Sequence, residues 1–221
     1  MSGDIARFSV QTERAALLVV DIQPDFLPGG ALGVAGGDAI LEPVRRLMSS
    51  GLFRCVVATQ DWHPSGHVSF ASSHEGRRPM DVMELYGREQ VLWPDHCVQG
   101  TPGAALAAGM PWERADAIIR KGVDPRVDSY SAFCNNFDWN GRRPSTGLAG
   151  YLDDRNIEDV FICGLARDFC VKWSAEDAAD AGFHVRVLWD LSRPVDPASD
   201  DAVRADLEER SVQILTAADL S

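Results

Sequence analysis

Four reactive side chains of this protein each follow a short apolar segment. They are a thiol, an ammonium group and two carboxylates, which could serve nucleophilic, acid–base or metal-binding chemistry. Short apolar segments of this kind are typical of buried parallel strands. Because ligands of an open parallel sheet sit beyond the carboxyl ends of its strands, we expect these side chains to meet there. They are Asp21 after residues 16–20, Asp61 after residues 55–59, Lys121 after residues 117–120 and Cys170 after residues 160–163.

The elements that must position these groups alternate regularly between strands and helices. This alternation predicts an α/β fold: a three-layer, Rossmann-like sheet of six parallel strands with helices on both faces. The site would then lie at the carboxyl ends of the strands. The predicted strands span residues 16–21, 55–60, 117–121, 159–164, 184–190 and 211–216, and the predicted helices span residues 38–50, 144–156, 168–181 and 197–210.

One connection in this pattern is unusually long. Residues 62–116, about 55 in all, join the second and third strands and are rich in Pro, Gly, His and Trp. Connections of this length are usually functional or carry structure of their own. Since this one leaves the sheet at the reactive edge, we expect it to roof the site. The length of 221 residues predicts a single domain over residues 1–221, with residues 1–14 as a loosely attached lead-in.

Composition excludes several classes of partner. A net charge of −12 argues against nucleic acid, which requires a basic surface. No apolar stretch approaches the ~20 residues of a membrane helix, and the first residues do not resemble a signal peptide. Five cysteines without a disulfide-framework spacing indicate reduced thiols. We therefore expect a cytoplasmic protein that binds neither nucleic acid nor membrane. Composition leaves a homo-oligomer open.

The candidate nucleophile is Cys170. Asp168 is a plausible N-cap for the helix that follows, which would place Cys170 in the first turn, where free amides and the helix dipole favour a thiolate. Amides at such a turn could also bind an oxyanion. The alternative is a small buried core residue, the commonest fate of a free cysteine. Cys55 and Cys163 lie inside apolar strands and are interpreted as packing residues.

Asp21 and Lys121 could complete a proton relay with the thiol. Asp21 could accept the thiol proton and return it to a leaving group. An aspartate at a strand end could equally cap the next turn, and Asp25 is a competing candidate that we interpret as structural. The ammonium of Lys121 would lower the thiol pKa and keep the carboxylate ionised, although a strand-end lysine is usually solvated.

A second cluster has the composition of a metal site. Asp61 and His63 directly follow the second strand, His67 comes four residues later, and His96 lies in the same long connection. Imidazole and carboxylate ligands without a dense cysteine set suit zinc, iron or manganese at an open site. The alternative is that each histidine only satisfies local hydrogen bonds.

Six motifs occur in an order that resembles one known family. They are VDIQPDFLPGG at 20–30, TQDWHP at 59–64, FASSH at 70–74, WPDHCVQ at 93–99, RKG at 120–122 and GLARDFCV at 164–171. On these motifs the chain resembles the nicotinamidases/pyrazinamidases of the isochorismatase-like cysteine hydrolase superfamily, over nearly its whole length.

The resemblance implies a reaction and a role for each residue. It implies hydrolysis of nicotinamide to nicotinate and ammonia through a cysteine thioester, with pyrazinamide as a second small-molecule amide substrate and a place in NAD salvage. One divalent metal ion, first of all zinc with iron or manganese as alternatives, would orient the pyridine ring. The implied residues are Asp21, Lys121 and Cys170 as catalytic triad, Asp61, His63 and His96 as metal ligands, Phe26 and Trp93 as ring-binding aromatics, and the amides of Ala166 and Cys170 as oxyanion hole.

Some positions vary in the family or depart from its pattern. His67 matches a position that binds the metal in only some members, and a cis peptide bond is implied between Leu165 and Ala166. Arg167 replaces a threonine that is common in the motif, and residues 124–128, next to the pocket, also differ in composition.

Rival functions from three classes remain at this point, the first being other hydrolases of the same superfamily. Amidases of the same superfamily that act on carbamoyl or ureido groups do not need the metal cluster, and isochorismatases do not use the cysteine. A metal-water hydrolase would treat Cys170 as a bystander. A non-catalytic metal-binding protein would release no ammonia from any amide.

Overall fold

Eight strands occur in residues 8–221, the part of the chain that the computed structural model describes. The expected parallel sheet is present, with six strands in the order β5-β2-β1-β6-β7-β8, and β3 and β4 form a separate hairpin. The eight strands are β1 (Ala15–Val20), β2 (Cys55–Asp61), β3 (Val82–Leu85), β4 (Arg88–Val91), β5 (Ala117–Lys121), β6 (Asp159–Leu165), β7 (His184–Arg193) and β8 (Gln213–Leu215).

Helices cover both faces of the sheet, as predicted. Along β1, Leu17 and Val19 pack in the core beneath α1, whereas Leu18 and Val20 pack in the core beneath the other three helices. Each helix is shorter than the pattern predicted, because tight turns precede several of them, among them a π-helical turn at Arg167–Val171. The helices are α1 (Leu41–Met48), α2 (Leu148–Asp153), α3 (Lys172–Asp180) and α4 (Asp200–Glu209).

The start of the described chain pairs with the C-terminal segment. Residues 1–7 lie outside the described part of the chain, but Phe8 donates a backbone hydrogen bond of 2.6 Å to Asp219 and accepts one of 3.1 Å from Ser221. The Phe8 ring also packs edge-to-face on Phe161, with 5.9 Å between the centroids. Phe8, within the predicted lead-in, is thus paired with the C-terminal segment, a partner that no local sequence pattern reveals.

The long connection contains structure that the sequence did not predict. Its hairpin turns at Tyr86 and Gly87, both at positive φ, which matches the twist of a two-residue hairpin loop. After the hairpin, the chain pairs with an earlier part of the same connection: Trp93 exchanges backbone hydrogen bonds of 2.8 Å with Ser69 and Ala71. None of the helices within residues 8–221 is long and apolar enough to cross a membrane.

The strand register determines which reactive groups become neighbours. Asp61 at the end of β2 pairs directly with Lys121 at the end of β5. On the other side, Val20 of β1 pairs with Gly164 of β6. A Cβ atom on Gly164 would lie 2.0 Å from the Val20 carbonyl oxygen, so only glycine allows the two strands to approach at this point. Asp21, the residue after β1, thus lies between the ends of β2 and β6 at the carboxyl edge of the sheet.

Candidate active site

Lys121 lies at the centre of the reactive groups. Its Nζ atom is 2.7 Å from Asp21 Oδ2 and 3.4 Å from Cys170 Sγ, and it also contacts Asp61 Oδ1. All four side chains are buried. The reactive atoms of Asp21, Asp61 and Cys170 lie within 4.8 Å of one another. The tertiary structure therefore brings together the four residues that the sequence placed at separate strand ends.

Asp21 is held for proton transfer. Thr59 Oγ donates a 2.6 Å hydrogen bond to Asp21 Oδ1 and accepts a 3.1 Å bond from the Asp21 amide. Burial raises the pKa of Asp21 to about 6, although the Lys121 ammonium opposes this shift. A carboxylate with this pKa is ionised at neutral pH, yet it is basic enough to accept a proton during a reaction.

The pKa values of the two carboxylates that contact Lys121 are shifted in opposite directions. Burial alone would raise the pKa of Asp61, but Lys121 and His63 outweigh it and hold that pKa well below its usual range. Lys121 itself stays protonated, because the two carboxylates outweigh its burial and raise its pKa. It also donates to the Ser129 carbonyl at 3.3 Å. Asp61 is thus a permanent anion shared between the ammonium and the histidines.

The thiol is in a different state from the one we predicted. Burial raises the pKa of Cys170 well above its usual range, with Lys121 acting in the opposite direction, so the resting side chain is a thiol. Asp168 is not the N-cap either: Ala166 occupies that position, and the Asp168 carboxylate accepts bonds of 2.9 Å from the amides of Val195 and Asp196. Activation of this thiol therefore needs a base, and Asp21 is adjacent to it.

The turn before the thiol has the backbone form that the resemblance implied. The peptide bond between Leu165 and Ala166 is cis. Ala166 and Cys170 both line the same cavity beside the reactive groups. Their amides are therefore in the region where an oxyanion hole would be required.

A group of three potential metal ligands adjoins the reactive groups. The Nε2 atoms of His63 and His96 lie 3.5 and 3.7 Å from Asp61 Oδ2. Their Nδ1 atoms bond outward to the carbonyls of Gly122 and Pro94, at 3.1 and 2.8 Å. Carbonyl acceptors on Nδ1 leave Nε2 as the unprotonated ligand atom. A Cβ atom on Gly122 would overlap the His63 ring at 2.2 Å, so this glycine makes room for the ligand.

Both ring nitrogens of His67 contact groups outside the set Asp61, His63 and His96. Its Nε2 atom faces the carbonyls of Asp124 and Val127 at 3.0 and 3.2 Å, and its Nδ1 atom lies 2.8 Å from Ser69 Oγ. Burial, reinforced by the nearby His63, lowers the pKa of His67 to about 4. Both ring nitrogens are thus bonded to the protein, which favours a structural role for this neutral histidine.

A cavity of about 340 Å³, including its open mouth, lies over these groups. Much of its lining is aromatic, which suits a flat ring compound. Phe26 and Trp93, the predicted ring-binding aromatics, both line it. The lining also includes residues to which the sequence by itself assigned no role: Leu32, Asp128, Tyr130, Phe169 and Val195.

Comparison with known proteins shows the family. The family model described as "Isochorismatase domain" matches residues 15–219. This chain is an isochorismatase-domain protein. Within the family it is 48% identical over 186 residues to the nicotinamidase of Acinetobacter baylyi, a match that covers 84% of each chain.

Solved structures of the family agree with this fold. The PnC1 protein of L. infantum, in complex with nicotinate, superimposes with a TM-score of 0.84 at 43% identity, over 97% of this chain and 98% of that one. The pyrazinamidase of Pyrococcus horikoshii, in complex with zinc, superimposes with a TM-score of 0.73 at 34% identity, over 92% and 99%.

Proposed function

We propose that this protein hydrolyses nicotinamide to nicotinate and ammonia through a thioester on Cys170. The observation that carries the proposal is the buried contact of Lys121 with Asp21 and Cys170, together with the aromatic-lined cavity to which Cys170 belongs. The A. baylyi relative is a nicotinamidase, and the L. infantum structure holds nicotinate. Pyrazinamide, which also has a ring nitrogen and a carboxamide, is the second proposed substrate.

The first half of the reaction needs Asp21 as base and then as acid. Asp21 takes the Cys170 proton while Sγ attacks the carboxamide carbon, and the carbonyl π pair moves to the oxygen. The amides of Ala166 and Cys170 stabilise this oxyanion. When the C–N bond breaks, Asp21 returns the proton to the leaving ammonia. Lys121 stays charged throughout and balances the negative charge that forms on sulfur and oxygen.

The second half of the reaction uses the same base for water. Asp21 accepts a proton from water as its oxygen attacks the thioester carbonyl. The C–S bond then breaks and Cys170 regains a proton, which releases nicotinate. Phe26 and Trp93 hold the ring on either side, so the reacting carbon stays over Sγ in both halves.

Asp61, His63 and His96 fit a divalent metal ion. They offer one carboxylate oxygen and two unprotonated imidazole nitrogens, a donor set that suits zinc, iron or manganese. We propose zinc, which the P. horikoshii structure holds. The bound ion supplies a Lewis acid for the ring nitrogen and so orients the substrate. His67 is left outside this set, since both of its ring nitrogens bond to the protein.

Loss of the metal will remove ammonia release, and added Zn²⁺ will restore it. His96→Ala should bind Zn²⁺ at least about 100-fold more weakly than the wild type. Losing a residue that only supports a metal ligand can lower metal affinity by about that factor, and His96 is proposed as a ligand itself. His184→Ala is the matched control, because the His184 side chain is 71% exposed at the start of β7. Metal content after dialysis and ammonia release are the two measurements. Equal zinc content in both variants would contradict this ligand set.

The pKa of Asp21 will determine how activity falls at low pH. Because its pKa is about 6, kcat/KM for nicotinamide should fall as the pH drops below about 6, where the base becomes protonated. The profile is measured with excess Zn²⁺, and circular dichroism at each pH controls for unfolding. Activity that persists unchanged down to the ordinary aspartate pKa of 3.8 would contradict this assignment.

The test of the function is ammonia release from nicotinamide by folded, zinc-loaded protein. Pyrazinamide is assayed alongside, and carbamoyl or ureido compounds test the nearest rival activity. Ammonia from a ureido compound but not from nicotinamide would overturn the proposal, as would no ammonia from any of them.

We also propose that the chain acts as one domain in the cytoplasm, with residues 62–116 as the roof of the site. All five cysteines are free, which suits a reducing compartment. Trp93 and His96, both in that segment, line the cavity.

A further inference from the structure

Arg167 is a buried arginine, 4% exposed, next to the turn that carries the nucleophile. Its guanidinium donates hydrogen bonds to the carbonyls of Trp189 and Ser192 at 3.0 and 2.6 Å, and Nε donates to Ser192 Oγ at 3.0 Å. The remaining nitrogen pairs with Asp200 Oδ2 at 2.7 Å. One side chain thus connects the turn to the carboxyl end of β7 and to the start of α4.

The position of Arg167 in the chain makes these bonds relevant to chemistry. It lies between Ala166 and Cys170, the two residues that supply the proposed oxyanion amides and the thiol. Its guanidinium also stacks on the Trp189 ring, 3.9 Å from the centroid. Asp168, the next residue, attaches the same turn to the amides that follow β7. Both side chains therefore hold the turn against one segment of the protein.

We propose that Arg167 is a positioning residue for amide hydrolysis, which holds the Ala166 amide and the Cys170 thiol in the geometry of the transition state. This inference rests on the proposed function. A planar guanidinium can bond several acceptors in fixed directions, which an ammonium cannot do. A threonine, the residue that is common in the family motif, is too short to bond both Ser192 and Asp200. The bonds of Arg167 to Ser192 and Asp200 therefore depend on the longer side chain.

The main variant is Arg167→Met, which keeps an unbranched apolar stem and removes the donors. We expect kcat for nicotinamide to fall on the order of 10- to 100-fold, because a displacement of the reacting groups by about 1 Å can have an effect of this size. KM should change little. Arg167→Lys keeps the charge near Asp200 and should recover part of kcat.

Arg186 offers a matched control at the opposite end of β7. It is also buried, pairs with Asp159 at 2.6 Å and lies 4.3 Å from the Phe8 ring centroid. Arg186→Met therefore also removes a buried arginine that pairs with an aspartate, but far from the nucleophile turn. It should lower the melting temperature but leave kcat of the folded fraction unchanged.

Inhibition by a pyridine aldehyde distinguishes a positioning role of Arg167 from a simple loss of folded protein. Cys170 Sγ adds to the aldehyde carbon, the π pair moves to the oxygen, and the thiol proton ends on that oxygen. This adduct needs the same thiol and the same amides as the transition state. The inhibition constant of the aldehyde should therefore rise in Arg167→Met by the factor that kcat/KM falls. A smaller folded fraction would lower kcat and leave this constant unchanged.

Unchanged kcat and aldehyde inhibition in folded Arg167→Met, or equal losses of kcat in Arg186→Met, would overturn the role of Arg167. If Arg167→Met does not fold, the same comparison with Arg167→Lys decides. If the wild type releases no ammonia from nicotinamide, the proposed function fails. The aldehyde affinities of wild type and variant, measured by direct titration, then still test Arg167.

Discussion

Replacing Cys170 with alanine will lower ammonia release from nicotinamide by at least about 10⁴-fold, as expected when a covalent nucleophile is lost. The physical reason is that, within residues 8–221, Cys170 is the nucleophile that both lines the cavity and lies beside Asp21 and Lys121. Without Sγ the thioester cannot form, and the remaining groups can only bind the amide and polarise it.

The matched control for this variant is Cys163→Ala. Cys163 is also fully buried, but it packs in the core within β6, and burial raises its pKa so that it stays a thiol. It should retain activity at a small cost in stability. Cys170→Ala should still bind nicotinate. Hydrolysis retained by Cys170→Ala would instead favour a metal-water mechanism, in which the cysteine is a bystander.

Replacing Lys121 with methionine will inactivate the protein and strongly destabilise it. Removing one partner of a buried ion pair costs about 3–5 kcal/mol, because the remaining charge is left uncompensated in the interior. Here two carboxylates, Asp21 and Asp61, would lose their ammonium. Urea unfolding gives the free energy of unfolding, and ammonia release gives the activity.

Arg120→Met provides the comparison on the same strand. Arg120 is exposed, stacks on Trp62 and bonds to Gln60 at 3.1 Å, so its loss should cost less than about 1 kcal/mol. Adding Asp21→Asn to Lys121→Met should restore part of the stability without restoring activity, since it removes one of the two unpaired charges. Equal stability of the two single variants would contradict the central role assigned to Lys121.

The sheet and its helices followed from the sequence because their signals are local. Apolar segments of strand length alternate with helical patterns, and a parallel sheet is the arrangement that buries both faces of such strands. Helix ends were less accurate. The pattern around Asp168 suggested a helix cap, whereas its carboxylate bonds to Val195 and Asp196, 27 and 28 residues away. A local pattern contains no information about such a partner.

Four reactive residues at four strand ends could be identified from the sequence by itself, together with the ordered motifs that place the chain in its family. Residue type and strand polarity are sufficient for that. Only the tertiary structure decided that Asp61 pairs with Lys121 and that the hairpin returns Trp93 to the cavity. It also decided charge states: burial makes Cys170 a thiol that needs a base and makes Asp21 basic enough to serve. These properties depend on desolvation and on neighbours distant in the chain, which exist only after folding.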